Sequence, residues 1–320
     1  MTIFLTDFVL CLATTGALAF LARPLVDRAR PSVAVPLLAI GSLVNAASLG
    51  LLLSLLALAG LAQLPAVASA GDWSIDVLEL NLPVPLLIGV LAGAGVAVLL
   101  GRAIWRAARI VVVLGQSDRL SRRIRGAGGP IAIVDTGAAD AFTLAGFRGC
   151  VVISRDLFCA LGVPERQMLT AHEMSHLRHR HHLYVQAIDI AIAANPALTR
   201  VADPIRLGVE RWADEDAVAV TGDRTAAAAA LARTALIRSA LRRAAPTPHQ
   251  VTTLPVLCVA ASHVSLRARA LLSTTPARTA LGTALTVLLI VTGAGTVDST
   301  LQFHDGFEHA EKHCHHAAPA

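Results

Sequence analysis

Charged side chains are scarce in this chain. Asp, Glu, Lys and Arg make up 15% of its 320 residues, whereas apolar residues make up 55%. The mean hydropathy is accordingly positive, at +0.63. A soluble enzyme carries a more strongly charged surface, so this composition excludes an ordinary soluble enzyme and is typical of a membrane protein.

Patterns typical of nucleic-acid binding are also missing. The chain is basic, with a net charge of +5, but it has no helix-turn-helix pattern and no alternation of aromatic and basic residues. Its arginines are spread along the sequence, and many stand near the ends of apolar segments. We therefore expect no direct contact with nucleic acid and attribute the basic charge to attraction by the anionic head groups of a lipid bilayer.

Four segments are apolar enough and long enough to cross the roughly 30 Å hydrocarbon core of a bilayer. The first has no basic residue before it, as a secretory signal peptide would have, and arginines follow it, so we interpret it as an uncleaved anchor. The predicted transmembrane segments run from Ile3 to Leu21, from Val35 to Leu61, from Leu82 to Ile104 and from Thr279 to Val297.

The positions of the arginines predict how these segments are oriented. Arg23, Arg28 and Arg30 lie between the first and second segments, and the loop between the second and third has neither Lys nor Arg. By the positive-inside rule, the N-terminus and the C-terminal tail lie outside and the large segment before the fourth helix lies in the cytoplasm. The predicted divisions are three transmembrane helices with short loops at 1–104, a cytoplasmic domain at 105–278, the fourth transmembrane helix at 279–297 and a His-rich extracytoplasmic tail at 298–320.

The cytoplasmic segment contains the pattern His-Glu-x-x-His, at His172, Glu173 and His176. Residues four apart lie on one face of a helix, so the two histidines can bind one metal ion while the glutamate stays free. Zinc in such a site polarises a water molecule, and the free carboxylate takes a proton from that water. The pattern predicts a zinc metallopeptidase in which Glu173 is catalytic. The alternative is a helix that merely happens to be rich in histidine.

A pair of acidic residues further along the chain can supply a third metal ligand. Glu210 follows His176 by 34 residues, and Asp214 lies four residues further along, on the same helical face. We predict that Glu210 is the third zinc ligand and that Asp214 accepts the outer N–H of a ligating histidine. The alternative is an acidic surface cluster, because two more acids follow directly.

The rest of this segment predicts a small α+β domain. β-Branched residues predict strands from Ile131 to Asp135 and from Cys150 to Ser154. Pro164 suits the first turn of a helix that runs through the zinc motif. The stretch from Leu183 to Leu198 is apolar but too short and polar to span a membrane, so we expect it to be buried or to lie at the membrane surface. With the neighbouring arginines, three further histidines are expected to form a basic surface: His179, His181 and His182.

Several stretches resemble the BlaR/MecR-type membrane sensor-transducer metallopeptidases of bacteria and, more distantly, the HtpX-type membrane metallopeptidases. The residues that carry the resemblance are DAFTLAGFRGCVVISRDLF, QMLTAHEMSHLRHRHH, NPAL, ERWADEDAV and HVSLRARALL, together with the four-span layout. The resemblance implies that His172, His176 and Glu210 bind Zn²⁺. It also implies that Glu173 is the general acid/base in a gluzincin fold. An edge strand, expected at Cys150 to Ser154, would pair with an extended substrate.

The expected fold is therefore a mainly α membrane protein, with four transmembrane helices and a cytoplasmic α+β gluzincin-type zinc protease domain between helices 3 and 4. The resemblance implies a regulatory zinc metalloendopeptidase of the bacterial plasma membrane. Its protein substrate would be a cytosolic transcriptional repressor, such as one of the winged-helix type. Two alternatives stay open, namely an HtpX-like protease for membrane protein quality control and a non-catalytic metal-responsive receptor.

The tail departs from the best-known members of the resembling family, which carry a penicillin-binding sensor domain after the fourth helix. A tract rich in His and Cys can bind a soft or borderline metal ion, so the tail is a candidate metal-sensing segment. The alternative is a solvated, disordered tail. The residues of this tract are His304, His309, His313, Cys314, His315 and His316.

Overall fold

The computed structural model of the chain is mainly helical and contains one small sheet. It describes residues 2–125, 129–135, 140–147, 149–244, 264–273 and 280–316. The helices are α1 (Thr2–Arg28), α2 (Pro31–Leu61), α3 (Pro65–Gly71), α4 (Ile75–Asn81), α5 (Leu86–Arg125), α6 (Arg155–Ala160), α7 (Val163–Arg178), α8 (His181–Ala194), α9 (Ala202–Thr221), α10 (Arg224–Ala244), α11 (Val264–Leu272) and α12 (Ala280–His316). The strands are β1 (Ile131–Val134), β2 (Ala141–Leu144) and β3 (Cys150–Ser154), and a 3₁₀ helix spans Pro196–Val201.

In the described part of the chain, four helices are long and apolar enough to cross a membrane, namely α1, α2, α5 and α12. They correspond to the four predicted segments. Two of them run well past the predicted ends, because α5 continues from Ile104 to Arg125 and α12 continues from Val297 to His316. Hydropathy marks only the apolar part of a helix, and neither continuation contains a proline that would interrupt its backbone hydrogen bonds.

The far end of α12 packs on the two short helices that connect α2 to α5. The backbone N–H of Ser74 donates to the carbonyl of Ala310 at 3.3 Å. Trp73 meets Phe307 edge to face, with ring centroids 5.3 Å apart. The first half of the predicted tail is therefore a docked helix. The side chains that follow Lys312, and with them most of the predicted metal-binding tract, lie outside the described residues.

The sheet has the strand order β1-β3-β2. β1 runs parallel to β3, with Ile133 opposite Ile153, and β2 runs antiparallel to β3, with Thr143 opposite Val151. Both predicted strands form, but the prediction that Cys150 to Ser154 is an edge strand is wrong. Alternation of side chains shows that a segment is extended and does not show which neighbours it pairs with. Among the described residues, the edge strands of this sheet are β1 and β2.

The elements from α8 to α9 pack directly on α1, α2 and α5, three of the helices that are apolar enough to cross a membrane. α8 packs against α2 and α5, and its Val185, Ile188 and Ala191 are buried. This burial confirms the expectation for the apolar stretch from Leu183. In α9, a Cβ on Gly208 would lie 2.7 Å from Cγ2 of Val35 in α2, so only glycine permits this close approach. Helix α9, which carries Glu210, is therefore held closely against α2.

Candidate metal centre

Helix α7 presents the first two candidate ligands. It begins after Gly162, with Pro164 in its first turn, and it runs without a break through the motif to Arg178. His172 and His176 lie one turn apart, and their ring centroids are 4.8 Å from each other. The helix thus delivers two imidazoles to one point, as the four-residue spacing predicts.

Glu210 of α9 completes a group of three converging atoms. Nε2 of His172 lies 3.2 Å from Nε2 of His176. The carboxylate of Glu210 lies 3.4 Å from the first of these nitrogens and 3.5 Å from the second. A tetrahedral zinc ion with bonds of about 2.0–2.1 Å places its ligand atoms about 3.4 Å apart. The two Glu210 distances involve different oxygens, and one atom of each residue lies within 4.8 Å of the others, so these residues form a group among the described residues that could hold a metal ion.

Asp214 and Arg267 surround the ligands on the outer side. Oδ1 of Asp214 lies 3.0 Å from Nδ1 of His172, as predicted for a residue that fixes the histidine's tautomer. Arg267 of α11 donates to both oxygens of Asp214, at 2.6 and 2.7 Å, and its Nη1 lies 2.9 Å from Glu210. Asp214 and Arg267 are 1% and 4% exposed, so this ion-pair network is almost free of solvent.

Sequence reasoning did not assign Arg267 to the site. Arg267 and Arg269 both precede the last apolar segment, where the positive-inside rule accounts for basic residues without a role in a site. The structure separates them, because Arg267 is buried in the site and Arg269 is exposed. One signal was present, since Arg267 lies four residues before Leu271, a buried residue on the same helical face.

Glu173 lies beside the ligands and is held by the sheet. The hydroxyl of Thr143 in β2 donates to Oε2 of Glu173 at 2.8 Å. It also lies 3.0 Å from the backbone carbonyl of the same residue. Glu173 is buried, and this burial raises the pKa of its carboxyl group. The carboxyl group is thus fixed in orientation and has a raised affinity for a proton.

A family comparison agrees with this arrangement. Residues 118–279, a little over half of the chain, match the model of peptidase family M48. The chain belongs to peptidase family M48. It is accordingly a metalloendopeptidase, and zinc is the metal that peptidases of this family use. No curated protein and no solved structure matches the chain.

Burial and ion pairs set the charge states in this M48 site. Burial alone would lower the pKa of His172, but hydrogen bonds to Asp214 and Glu210 outweigh it and raise the pKa to about 9. Burial lowers the pKa of His176 to about 4. Burial also opposes ionisation of Glu210, yet Arg267 and His172 hold the pKa of Glu210 well below its ordinary value. At neutral pH, His176 and Glu210 are therefore in the forms that bind metals, and metal binding has to displace a proton from His172.

His181 is a second residue that sequence reasoning missed. Its Nδ1 lies 3.0 Å from Nδ1 of His176, on the side away from the other ligands. Arg180, with φ of 49°, turns the chain back so that α8 starts against α7. The expectation of a basic surface is wrong for His181 and His182, which are 1% and 8% exposed. That turn depends on one left-handed residue, which no periodic pattern reveals.

The M48 centre opens into a cleft of about 450 Å³. One wall is the edge strand β2, which contributes Ala141, Phe142 and Thr143. Residues of α10 line the cleft as well, and Arg267 lies beside the candidate ligands. The edge strand β2 therefore lies next to Glu173, which its Thr143 contacts.

Proposed function

We propose that this chain is a regulatory zinc metalloendopeptidase of the BlaR/MecR type, embedded in a bacterial plasma membrane by four helices. It hydrolyses a peptide bond in a cytosolic target such as a transcriptional repressor. The observation that carries the catalytic part of this proposal is the convergence of His172, His176 and Glu210 beside the buried Glu173. The regulatory part rests on the resemblance in sequence.

Each ligand has a partner that suits its task. His172 and His176 bind zinc through Nε2, and Glu210 binds it through its carboxylate. Asp214 accepts the Nδ1–H of His172 and so directs Nε2 toward the metal, which displaces the proton from that nitrogen on binding. Bound zinc supplies a Lewis acid, which polarises the substrate carbonyl and makes water more acidic. Arg267 keeps Glu210 and Asp214 ionised and in place.

Glu173 is the proton carrier in this proposal. It takes a proton from the attacking water and passes it to the nitrogen of the leaving amine. Its burial raises the pKa of the carboxyl group toward the working pH, which favours a group that must both accept and release a proton. The hydroxyl of Thr143 orients the carboxylate by donating to it.

The substrate lies extended along β2. On the outer edge of this strand the carbonyl of Ala141 accepts from Arg238, and the backbone groups of Thr143 can pair with a peptide, as an added strand does. β2 replaces β3 in this role because β3 has neighbours on both sides. Thr143 connects the two functions, since it belongs to the edge strand and contacts Glu173.

The proposed sidedness follows from charge. Arg102, Arg106 and Arg109 follow the apolar part of α5, and the loop between α2 and α5 contains acids but no Lys or Arg. The positive-inside rule then assigns the site to the cytoplasm and both chain ends to the outside. A cytosolic repressor is accessible from that side.

Quality control of membrane proteins, as in HtpX-type enzymes, is the second candidate function. It is supported by the contact of α8 with α2 and α5, which holds the peptidase elements against the bundle and near the bilayer surface. A receptor without catalysis is not retained, because the chain belongs to a peptidase family. The two remaining functions differ in the number and kind of their substrates.

The experiment compares new protein N-termini in cells that carry the native chain and in cells that carry Glu173→Ala. Loss of one cleavage in a soluble repressor is expected in the variant. Loss of many cleavages in membrane proteins would instead establish quality control. If both strains gave the same N-termini while the purified native protein contained zinc, the assignment of Glu173 as the proton carrier would be wrong.

A further inference from the structure

The α10 wall of the cleft is basic. Arg238, Arg242 and Arg243 all line the cleft, and the first two contact Asp140, the residue before β2. Arg238 and Arg242 both pair with the carboxylate of Asp140, the second of them at 2.5 Å. Arg243 donates to the hydroxyl of Ser239 at 2.9 Å. Two guanidinium groups thus share one carboxylate, and the third is held by an uncharged group.

The metal-binding group does not cancel this positive charge. Glu173, Glu210 and Asp214 bring three potential negative charges, which Arg267 and a divalent ion balance when the carboxylates are ionised. The excess charge of the loaded cleft therefore belongs to α10. It lies beside Asp140 at the start of β2, within reach of the side chains of a peptide paired with that strand.

We propose that α10 selects substrates with an acidic side chain near the scissile bond, through Arg242 and Arg243. This inference rests on the proposed function, since it concerns the substrate of the same site. The guanidinium fork matches a carboxylate in shape and in hydrogen-bond geometry. A substrate Asp or Glu can bind Arg243 directly, and it can share Arg242 with Asp140.

Arg242 and Arg243 are suited to this task because both are exposed at the mouth of the cleft. Arg238, further along the wall, is only 15% exposed and donates to the backbone carbonyl of Ala141 at 3.4 Å. Arg238 thus supports the edge strand, and the two outer arginines meet the substrate. A substrate Asn or Gln has the same shape as Asp or Glu but carries no charge, so it would bind these arginines more weakly.

The test uses the purified full-length protein loaded with zinc and a peptide library with either Glu or Gln at each position in turn. The native protein should cleave peptides with Glu at one or two positions about fivefold faster than their Gln counterparts, as expected for a partly exposed ion pair. Arg243→Glu should remove this preference and favour Lys at the same positions. Arg123→Glu, an exposed reversal of equal charge at the end of α5, should leave it unchanged.

Two results would overturn the inference. One is equal cleavage of Glu and Gln peptides by an active native enzyme. The other is an unchanged preference in Arg243→Glu with weaker binding to vesicles of phosphatidylglycerol, which would assign these arginines to the membrane. Failure of the proposed function is distinguishable from both, because the native protein would then cleave no peptide faster than Glu173→Gln does.

Discussion

The side-chain amide of Asn195 donates to Oδ1 of Asn45 at 3.1 Å. Asn195 follows α8 in the peptidase segment, whereas Asn45 lies in α2, a helix apolar enough to cross a membrane, and both are buried. The same oxygen accepts from Thr15 of α1 at 2.8 Å, and Asn45 donates to the carbonyl of Cys11 at 3.0 Å. The peptidase segment is therefore tied to α1 and α2 by a buried polar network, where hydrogen bonds specify one arrangement.

Loss of the Asn195 amide should loosen this connection. We expect Asn195→Ala to destabilise the protein by about 1–3 kcal/mol, because buried donors and acceptors lose their partners. Adding Asn45→Ala should cost less than the sum of the two single changes, since the residues are in contact. Thermal unfolding in detergent measures both effects, with the exposed Gln302→Ala as the control. Strict additivity would show that the two amides act independently.

Replacing Arg267 should have a large effect, unlike replacing Arg269. Arg267→Met leaves Glu210 and Asp214 buried without their cation, and a loss of about 3–5 kcal/mol in stability is expected for a broken buried pair. Arg267→Lys should recover only part of it, because lysine cannot donate to both oxygens in the same fork. Arg269→Met should have little effect. The unfolding temperature and the cleavage rate of each variant measure these effects. Similar results for Arg267→Met and Arg269→Met would contradict the burial of Arg267.

His181 should orient His176 toward zinc. His181→Phe keeps a ring of similar size but removes the nitrogen that contacts His176, so zinc affinity should fall about tenfold or more. His181→Asn retains a polar atom near that position and should restore part of the affinity. Competition with a chromophoric chelator gives the zinc affinity, and Arg123→Phe, a change at an exposed residue near the end of α5, is the control. Equal affinities in the native and His181→Phe proteins would rule this role out.

Glu173 should be needed for turnover and dispensable for zinc. Glu173→Gln should keep the native zinc content and lower cleavage by about 10²–10⁴-fold, the usual contribution of general acid–base catalysis. His176→Ala and Glu210→Ala should lose zinc itself. Metal analysis of the purified proteins, alongside peptide cleavage, separates these cases. Loss of zinc from Glu173→Gln would place this glutamate among the ligands.

Much of the candidate site is local in sequence and was predicted from it. His172, Glu173 and His176 occupy one helical turn, so their spacing alone sets which of them share a face. Glu210 and Asp214 follow the same logic on a second helix. In the structure, the packing of α7 on α9 brings these two groups of residues together. The contact between the two helices was expected, because a zinc ion bound by two histidines of one helix needs a third protein ligand from another part of the chain.

The pairing of the strands was harder to predict from the sequence. The segment Cys150 to Ser154 was correctly predicted as a strand but wrongly as the edge, because its partner β2 comes from a stretch with no clear alternation. The edge strand beside the site is therefore β2 and not β3. Thr143 of β2 contacts Glu173. Such a choice is made by non-local hydrogen bonds.

The amino-acid sequence by itself determined the apolar spans and the residues of the zinc motif, since hydropathy and helical periodicity are properties of neighbouring residues. Only the tertiary structure decided that Arg267 and His181 belong to the site, that β2 lies beside it, and that α10 lines it with arginines. Arg267 lies far from the zinc motif in the chain, and His181 reaches the site because the left-handed Arg180 reverses the chain direction. Their roles come from burial against particular neighbours, and that burial exists only in the folded chain.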